Sequence, residues 1–168
     1  MAVGSAPVPV EEPVGEACAE VSLRFGSSAG RDACRPEAVM AAIDALAGLG
    51  AEVRLAGTDA HPTVEASFQG RHACVRAAEA MLVTDHNVRA ATGNRIIVSG
   101  AVSAGYLVPE MPGVTRRVDL LAAGRLAERA APGQILLGGS AWERELRVDS
   151  LPARMSESAP VSVLRGLR

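Results

Sequence analysis

Ala51-Glu52-Val53-Arg54-Leu55-Ala56-Gly57-Thr58-Asp59-Ala60-His61-Pro62-Thr63-Val64-Glu65-Ala66-Ser67-Phe68 is the stretch whose reading decides the fold. Val53 and Leu55 alternate with Glu52 and Arg54, and Val64, Ala66 and Phe68 alternate with Glu65 and Ser67. Period-two alternation on both sides of a turn-like Gly57–Pro62 predicts an antiparallel hairpin. Upstream, Pro36 suits the first turn of a helix, Val39, Ile43 and Leu46 recur at helical spacing with Met40 and Ala47 beside them, and Gly50 can stop that helix. Before it, Val21, Leu23 and Phe25 alternate with Ser22 and Arg24, a half-buried strand, so ordered sequence is expected from about Glu20. Downstream, Arg71 to Val83 reads as a second helix with Cys74, Ala78, Met81 and Leu82 on one face, and Arg95 to Val102 as a buried strand. The order is β-α-β-β-α-β, the ferredoxin-like split arrangement of an α/β (α+β) domain.

A chain of 168 residues fits one domain with a core of its own. Apolar residues make up 48 % and aromatics 2 %, so the core is built from Ala, Val and Leu, which suits helices packed closely on a sheet. All 17 basic residues are arginine, the net charge is −2, and the lone arginine pair Arg116-Arg117 makes no basic patch, which argues against a nucleic-acid partner. No apolar run reaches the roughly 18 residues of a membrane span. Cys18, Cys34 and Cys74 lack metal-ligand spacing and, with no secretory leader in the first residues, read as reduced thiols of a cytoplasmic protein.

In the second half, Gly105-Tyr106-Leu107-Val108 reads as an extended arm, Pro109 to Gly113 as a loop, and Val118 to Ala131 as a third helix. Gln134 to Leu137 reads as a buried strand, Ser140-Ala141-Trp142-Glu143 as a capping box opening a short helix, and Pro160 to Leu167 as a last strand.

The segment Gly124-Arg125-Leu126-Ala127-Glu128-Arg129-Ala130-Ala131-Pro132-Gly133-Gln134-Ile135-Leu136-Leu137 resembles a signature of class III adenylyl and guanylyl cyclases, in which an Ala-Ala-Arg-Leu helix leads through Pro-Gly-Gln-Ile-Leu into a strand. Val21 to Phe25, Gly30, Gly50 to Asp59, Phe68 to Met81, Val98 to Gly105 and Pro160 to Leu164 follow in the family's order. The resemblance implies a cyclase-homology domain over 18–168, a ferredoxin-like core with a cyclase-type C-terminal extension, and the proline- and small-residue-rich start of the chain reads as a flexible tail at 1–17. Family members convert a nucleoside triphosphate into a 3′,5′-cyclic nucleotide and pyrophosphate. Two aspartates hold two Mg²⁺ or Mn²⁺ ions, a lysine and an aspartate select the base, and an asparagine and an arginine act on ribose and phosphate across a dimer.

Carried over by the resemblance, the first metal aspartate falls on Ser27, a poor substitute for a bridging carboxylate. The second falls on Asp59 counted from Gly50 and on Pro62 counted back from Phe68, and Asp59 also reads as a turn residue. The base-selecting lysine falls on Leu55. The second base-selecting position falls on Val118, with Asp119 beside it as a weak nucleotide-binding candidate. The ribose asparagine falls on Leu121, and the transition-state arginine is retained as Arg125. His61 beside Asp59 reads as a solvated turn histidine. Ser27-Ser28 lacks a nucleophile elbow, and Cys34 reads as a plain thiol.

The losses trade charge for apolar or neutral groups. The chain is therefore expected to be a degenerate, catalytically inactive cyclase-like pseudoenzyme, acting in signalling as a regulatory or protein-interaction module. As a homodimer or a heterodimer with a cyclase-like chain, it would need no cofactor. The alternative is a divergent active cyclase using Asp59, Asp119 and Arg125 with Mg²⁺ or Mn²⁺ on a nucleotide ligand. An unrelated ferredoxin-like scaffold is the third reading.

Overall fold

In the computed structural model the described residues are 15–27, 35–118, 122–138, 146–150 and 161–167. The first strand, β1 (Glu16–Ser27), is followed by helix α1 (Pro36–Gly48), the hairpin β2 (Glu52–Gly57) and β3 (Pro62–Gln69), helix α2 (Ala73–Thr92) and β4 (Ile96–Met111). The sheet order β2-β3-β1-β4, antiparallel at each step, is the ferredoxin-like arrangement that the periodicity predicts. Beyond it come β5 (Val114–Val118), the short helix α3 (Ala123–Ala127), β6 (Ile135–Gly138), β7 (Leu146–Ser150) and β8 (Val161–Leu167). β6 runs parallel to β4, β8 and β7 extend the sheet antiparallel beyond it, and β5 folds back on β4.

Alternation along each strand sorts residues between the two sheet faces. Ala19, Val21 and Leu23 of β1, Val64, Ala66 and Phe68 of β3, and Val98 and Val102 of β4 form one core with α1 and α2. The opposite face carries a small cluster in which Leu126 and Ala127 of α3 meet Ala101 and Leu136. On that same face, Glu20, Ser22, Arg24, Glu52, Arg54, Glu65 and Ser67 take the alternate positions of β1, β2 and β3.

Several elements depart from expectation. β1 starts at Glu16, paired with Leu107, four positions before the expected Glu20, so the tail 1–17 overlaps its first two residues. α1 has the expected Pro36 start, and Gly50 follows it at φ 84°, but its buried residues are Ala38, Ala42, Ala45 and Leu46, and Met40 is 54 % exposed. Alanines on this face let α1 pack closely against α2. α2 runs to Thr92 instead of Val83 because Thr84, Val88 and Thr92 continue its buried stripe past the polar Asp85-His86-Asn87.

The expected helix from Val118 to Ala131 and the expected loop from Pro109 to Gly113 are both corrected. Val118 is the last residue of β5, opposite Tyr106, and α3 holds five residues, Ala123 to Ala127. β4 continues through Pro109 to Met111, and the turn is confined to Pro112 and Gly113, with Gly113 at φ 80°. Pro109 lacks a ladder donor, and the β4–β5 register shifts between Pro109 and Met111. The capping box at Ser140 lies outside the described residues.

Candidate functional site

The cross-strand register builds a polar cleft on the open face of the sheet. Arg54 of β2 stands opposite Glu65 of β3, and Glu65 stands opposite Ser22 of β1. Ser67 of β3 stands between Glu20 of β1 and Glu52 of β2. With Arg117 of β5 and residues Ala122 to Gly124 at the start of α3, these residues line a cleft of about 440 Å³. Charge within it is matched locally. The Arg54 Nε donates to Glu65 Oε2 at 3.0 Å, and that carboxylate holds the guanidinium above its ordinary pKa. Arg117 pairs with Glu20. At the cleft's outer end Arg24 bridges β1 to the residue after α3, with its Nη2 3.2 Å from Glu128 Oε1.

The metal positions carried over from the resemblance lie at one end of the sheet. β1 and β3 are antiparallel with Arg24 opposite Thr63, so the residues after Arg24 and those before Thr63 share that end. Ser27 ends β1, opposite Ile96. Asp59 is exposed in the β2–β3 turn, which Thr58 and His61 close by backbone hydrogen bonds of 3.3 and 3.0 Å. Gly57 takes φ 84° there, and a Cβ on it would meet the His61 carbonyl oxygen at 2.4 Å, so this turn demands glycine. Pro62 opens β3. The described donors at this end, a serine hydroxyl and an aspartate, do not match the carboxylate pair that two hard divalent cations require. Among the described residues, no group of three or more His, Cys, Asp or Glu side chains is placed to hold a metal ion.

The remaining candidates are scattered. Leu55, carried over as the base-selecting position, does not face the cleft. It pairs with Val64 on the helix-covered side of the sheet and is 57 % exposed at that edge. The cleft-facing cation of β2 is Arg54. Arg125 is exposed on α3, outside the cleft wall formed by Ala122 to Gly124. Val118 closes β5 beside Tyr106, while Asp119 and Leu121 lie outside the described residues. Sequence reasoning missed Arg54, Glu65, Glu20 and Arg117 as a group. The alternation of Glu52 and Arg54 with Val53 and Leu55 was the signal that could have found the first.

No protein-family model matches the sequence, and no curated protein matches it. Solved structures do match the fold. The catalytic core of a rhodopsin-guanylyl cyclase with converted specificity, in complex with ATPalphaS, aligns with a TM-score of 0.59 over 92 % of this chain and 98 % of that one, at 10 % identity. The fold is that of a class III nucleotidyl cyclase catalytic domain. The monomeric guanylyl cyclase domain of the RhoGC fusion protein from the aquatic fungus Blastocladiella emersonii aligns over 92 % of this chain and 97 % of that one, with a TM-score of 0.50 and 10 % identity. Within this cyclase fold, β4 and β5 form a projecting hairpin arm and α3 with β6 forms the segment that carries Arg125. None of the helices described is long and apolar enough to cross a membrane.

Proposed function

We propose that this chain is a catalytically silent cyclase-fold domain, working in the cytoplasm as a regulatory or protein-interaction module that pairs with itself or with another cyclase-like chain. The observation that carries this reading is the donor set at the end of the sheet, where Ser27, onto which the resemblance carries the first metal carboxylate, closes β1 as a hydroxyl and Asp59 stands exposed in the β2–β3 turn. A neutral hydroxyl adds little to the field that a Mg²⁺ ion needs before it sheds water. One carboxylate leaves the second cation without a bridging ligand, and with it the activation of a 3′-hydroxyl. The side of Leu55 supports the same reading, since neither its chemistry nor its direction serves a purine edge.

The test is a cyclase assay on the purified chain with ATP and GTP, each with Mg²⁺ and with Mn²⁺. The expected result is no 3′,5′-cyclic nucleotide above a no-protein control. Metal-dependent turnover that disappears in Asp59→Ala would overturn the proposal in favour of a divergent active cyclase.

A further inference from the structure

We propose that β2, at the free edge of the sheet, pairs with β2 of a second copy of this chain in an antiparallel two-fold contact centred on Val53. β2 is hydrogen-bonded to β3 on one side and to no described strand on the other. An edge strand offers a row of unpaired N–H and C=O groups to another chain. The side chains along β2 stand in solvent beside that row. The Arg54 side chain is 77 % exposed, Leu55 is 57 % exposed, and Glu52 is exposed as well. Among the described strands, Leu55 is the one large apolar residue so exposed outside the β4–β5 arm.

Charge and register together choose the occupant. Side chains alternate between faces, so two antiparallel copies of β2 bring like faces together only when the two-fold axis passes through a residue. The axes that keep most of the strand in the ladder pass through Val53, Arg54 or Leu55. An axis at Arg54 sets Arg54 against Arg54 of the other copy, and like charges directly opposite are destabilising. An axis at Leu55 sets Val53 against Gly57, whose φ of 84° takes it out of the extended region, and leaves Glu52 beyond the ladder. An axis at Val53 sets Glu52 of each copy against Arg54 of the other. Two opposite-charge pairs then form on the cleft face, while Val53 meets Val53 and Leu55 comes opposite Ala51 on the helix-covered face.

Both members of each pair have capacity left. Glu52 makes no ion pair among the described residues. Arg54 donates to Glu65 of its own chain through Nε and Nη2, and its Nη1 makes no hydrogen bond among the described residues. A guanidinium carries five donors, so it can hold a second carboxylate. A contact along six residues falls below the ~1,200 Å² of a standard interface, so the association is weak and grows with concentration. The inference goes beyond the proposed function. It concerns a surface that β3 and β1 separate from the β4–β5 arm, adds to any contact made through that arm, and holds for a silent and an active domain alike.

Sedimentation equilibrium of the full chain between about 10 μM and about 1 mM tests it. The average mass is expected to rise with concentration above its dilute value, whether that value is one chain or two. Glu52→Arg should weaken this step about tenfold or more, because it sets arginine against arginine. Arg54→Glu should weaken it likewise, by setting glutamate against glutamate. An equimolar mixture of the two variants should recover the association, since each copy then offers the charge that the other lacks. A structural effect of either substitution gives no such recovery. A wild-type mass that does not rise, an unchanged rise in Glu52→Arg, or a mixture no better than either variant alone overturns the proposal. Cyclic-nucleotide formation in the separate assay bears on the proposed function alone, so the two failures are distinguishable.

Discussion

Gly100 of β4 lies so close to Ser22 of β1 that a Cβ on the glycine would stand 2.3 Å from the Ser22 carbonyl oxygen, with Leu23 Cδ2 at 3.0 Å and Met81 Cε at 3.2 Å. The two side-chain atoms can give way, but the carbonyl belongs to β1, which is held between β3 and β4, and cannot. Gly100→Ala is therefore expected to destabilise the fold by roughly 1–3 kcal/mol, the usual cost of overpacking a tight core. Denaturant unfolding of both chains measures it. An unchanged midpoint would mean that β1 yields at Ser22, which would also displace the floor of the cleft.

Arg76 of α2 ties three elements together. Its guanidinium carbon stands 5.9 Å from the centre of the Phe68 ring, its Nη1 donates to the Leu49 carbonyl at the end of α1 at 3.5 Å, and its Nη2 donates to the Gln69 carbonyl at the end of β3. Hydrogen bonds from charged donors contribute about 1.5–3 kcal/mol and a cation over an aromatic face about 0.5–2 kcal/mol, so Arg76→Ala should cost on the order of 2 kcal/mol after partial offset by the buried Nε, which has no partner. Arg76→Lys should recover little, because a single ammonium cannot reach both carbonyls and cover the ring. A lysine variant as stable as wild type in urea would refute this role.

The Cys18 thiol gives a pH dependence. Burial pushes its pKa above the ordinary 9.0, against the opposing pull of Arg117 and with a smaller push from Glu16. Below about pH 9 the thiol is protonated in both the folded and unfolded chain, so stability does not depend on it. As pH rises past that point the unfolded chain ionises first, and the native state loses stability. Cys18→Ala should flatten the alkaline limb of a Tm-against-pH curve. Iodoacetamide mapping at pH 8 should find Cys18 protected in the native chain and labelled in the unfolded one.

The ferredoxin-like core was legible because Val53 with Leu55, Val64 with Ala66 and Phe68, and the helix start at Pro36 each carry a local periodic signal. The arm was not legible. Leu120, Leu121, Gly124 and Leu126 read as the packing face of a helix in the sequence, but Val114 to Val118 pairs with β4 across the Pro112–Gly113 turn, and that pairing overrides the local pattern. The cleft was legible only in pieces. Glu20, Arg54, Glu65 and Arg117 come from four strands, and only the register between those strands makes them neighbours. Leu55, the position onto which the resemblance carries the base-selecting lysine, pairs with Val64 on the face away from the cleft, a placement only the register shows.

The arm supports a last prediction, that the domain is a homodimer held through the β4–β5 hairpin. Among the described residues the β1–β4 ladder ends at Glu16 and Leu107, and the hairpin residues beyond Leu107 pair only with β5. A two-stranded hairpin is marginal in water unless something packs on it. This one carries Met111 at 63 % and Val114 at 45 % exposure, with Leu107 and Val108 half-buried at its base. A two-fold contact is the commonest way for a protein to cover such a surface. Met111→Asp and Val114→Asp should then shift the protein toward monomer, because each would bury an unpaired charge at the contact. Their monomers should unfold as wild type does, since neither side chain belongs to the core. Leu107→Asp, by contrast, should weaken both association and the fold. Size exclusion with light scattering reads this directly, with a wild-type mass expected at twice the 17.3 kDa of the chain. A wild-type mass equal to one chain at micromolar concentration would sink the homodimer and leave a different partner, or a closed monomer, as the cover for Met111 and Val114.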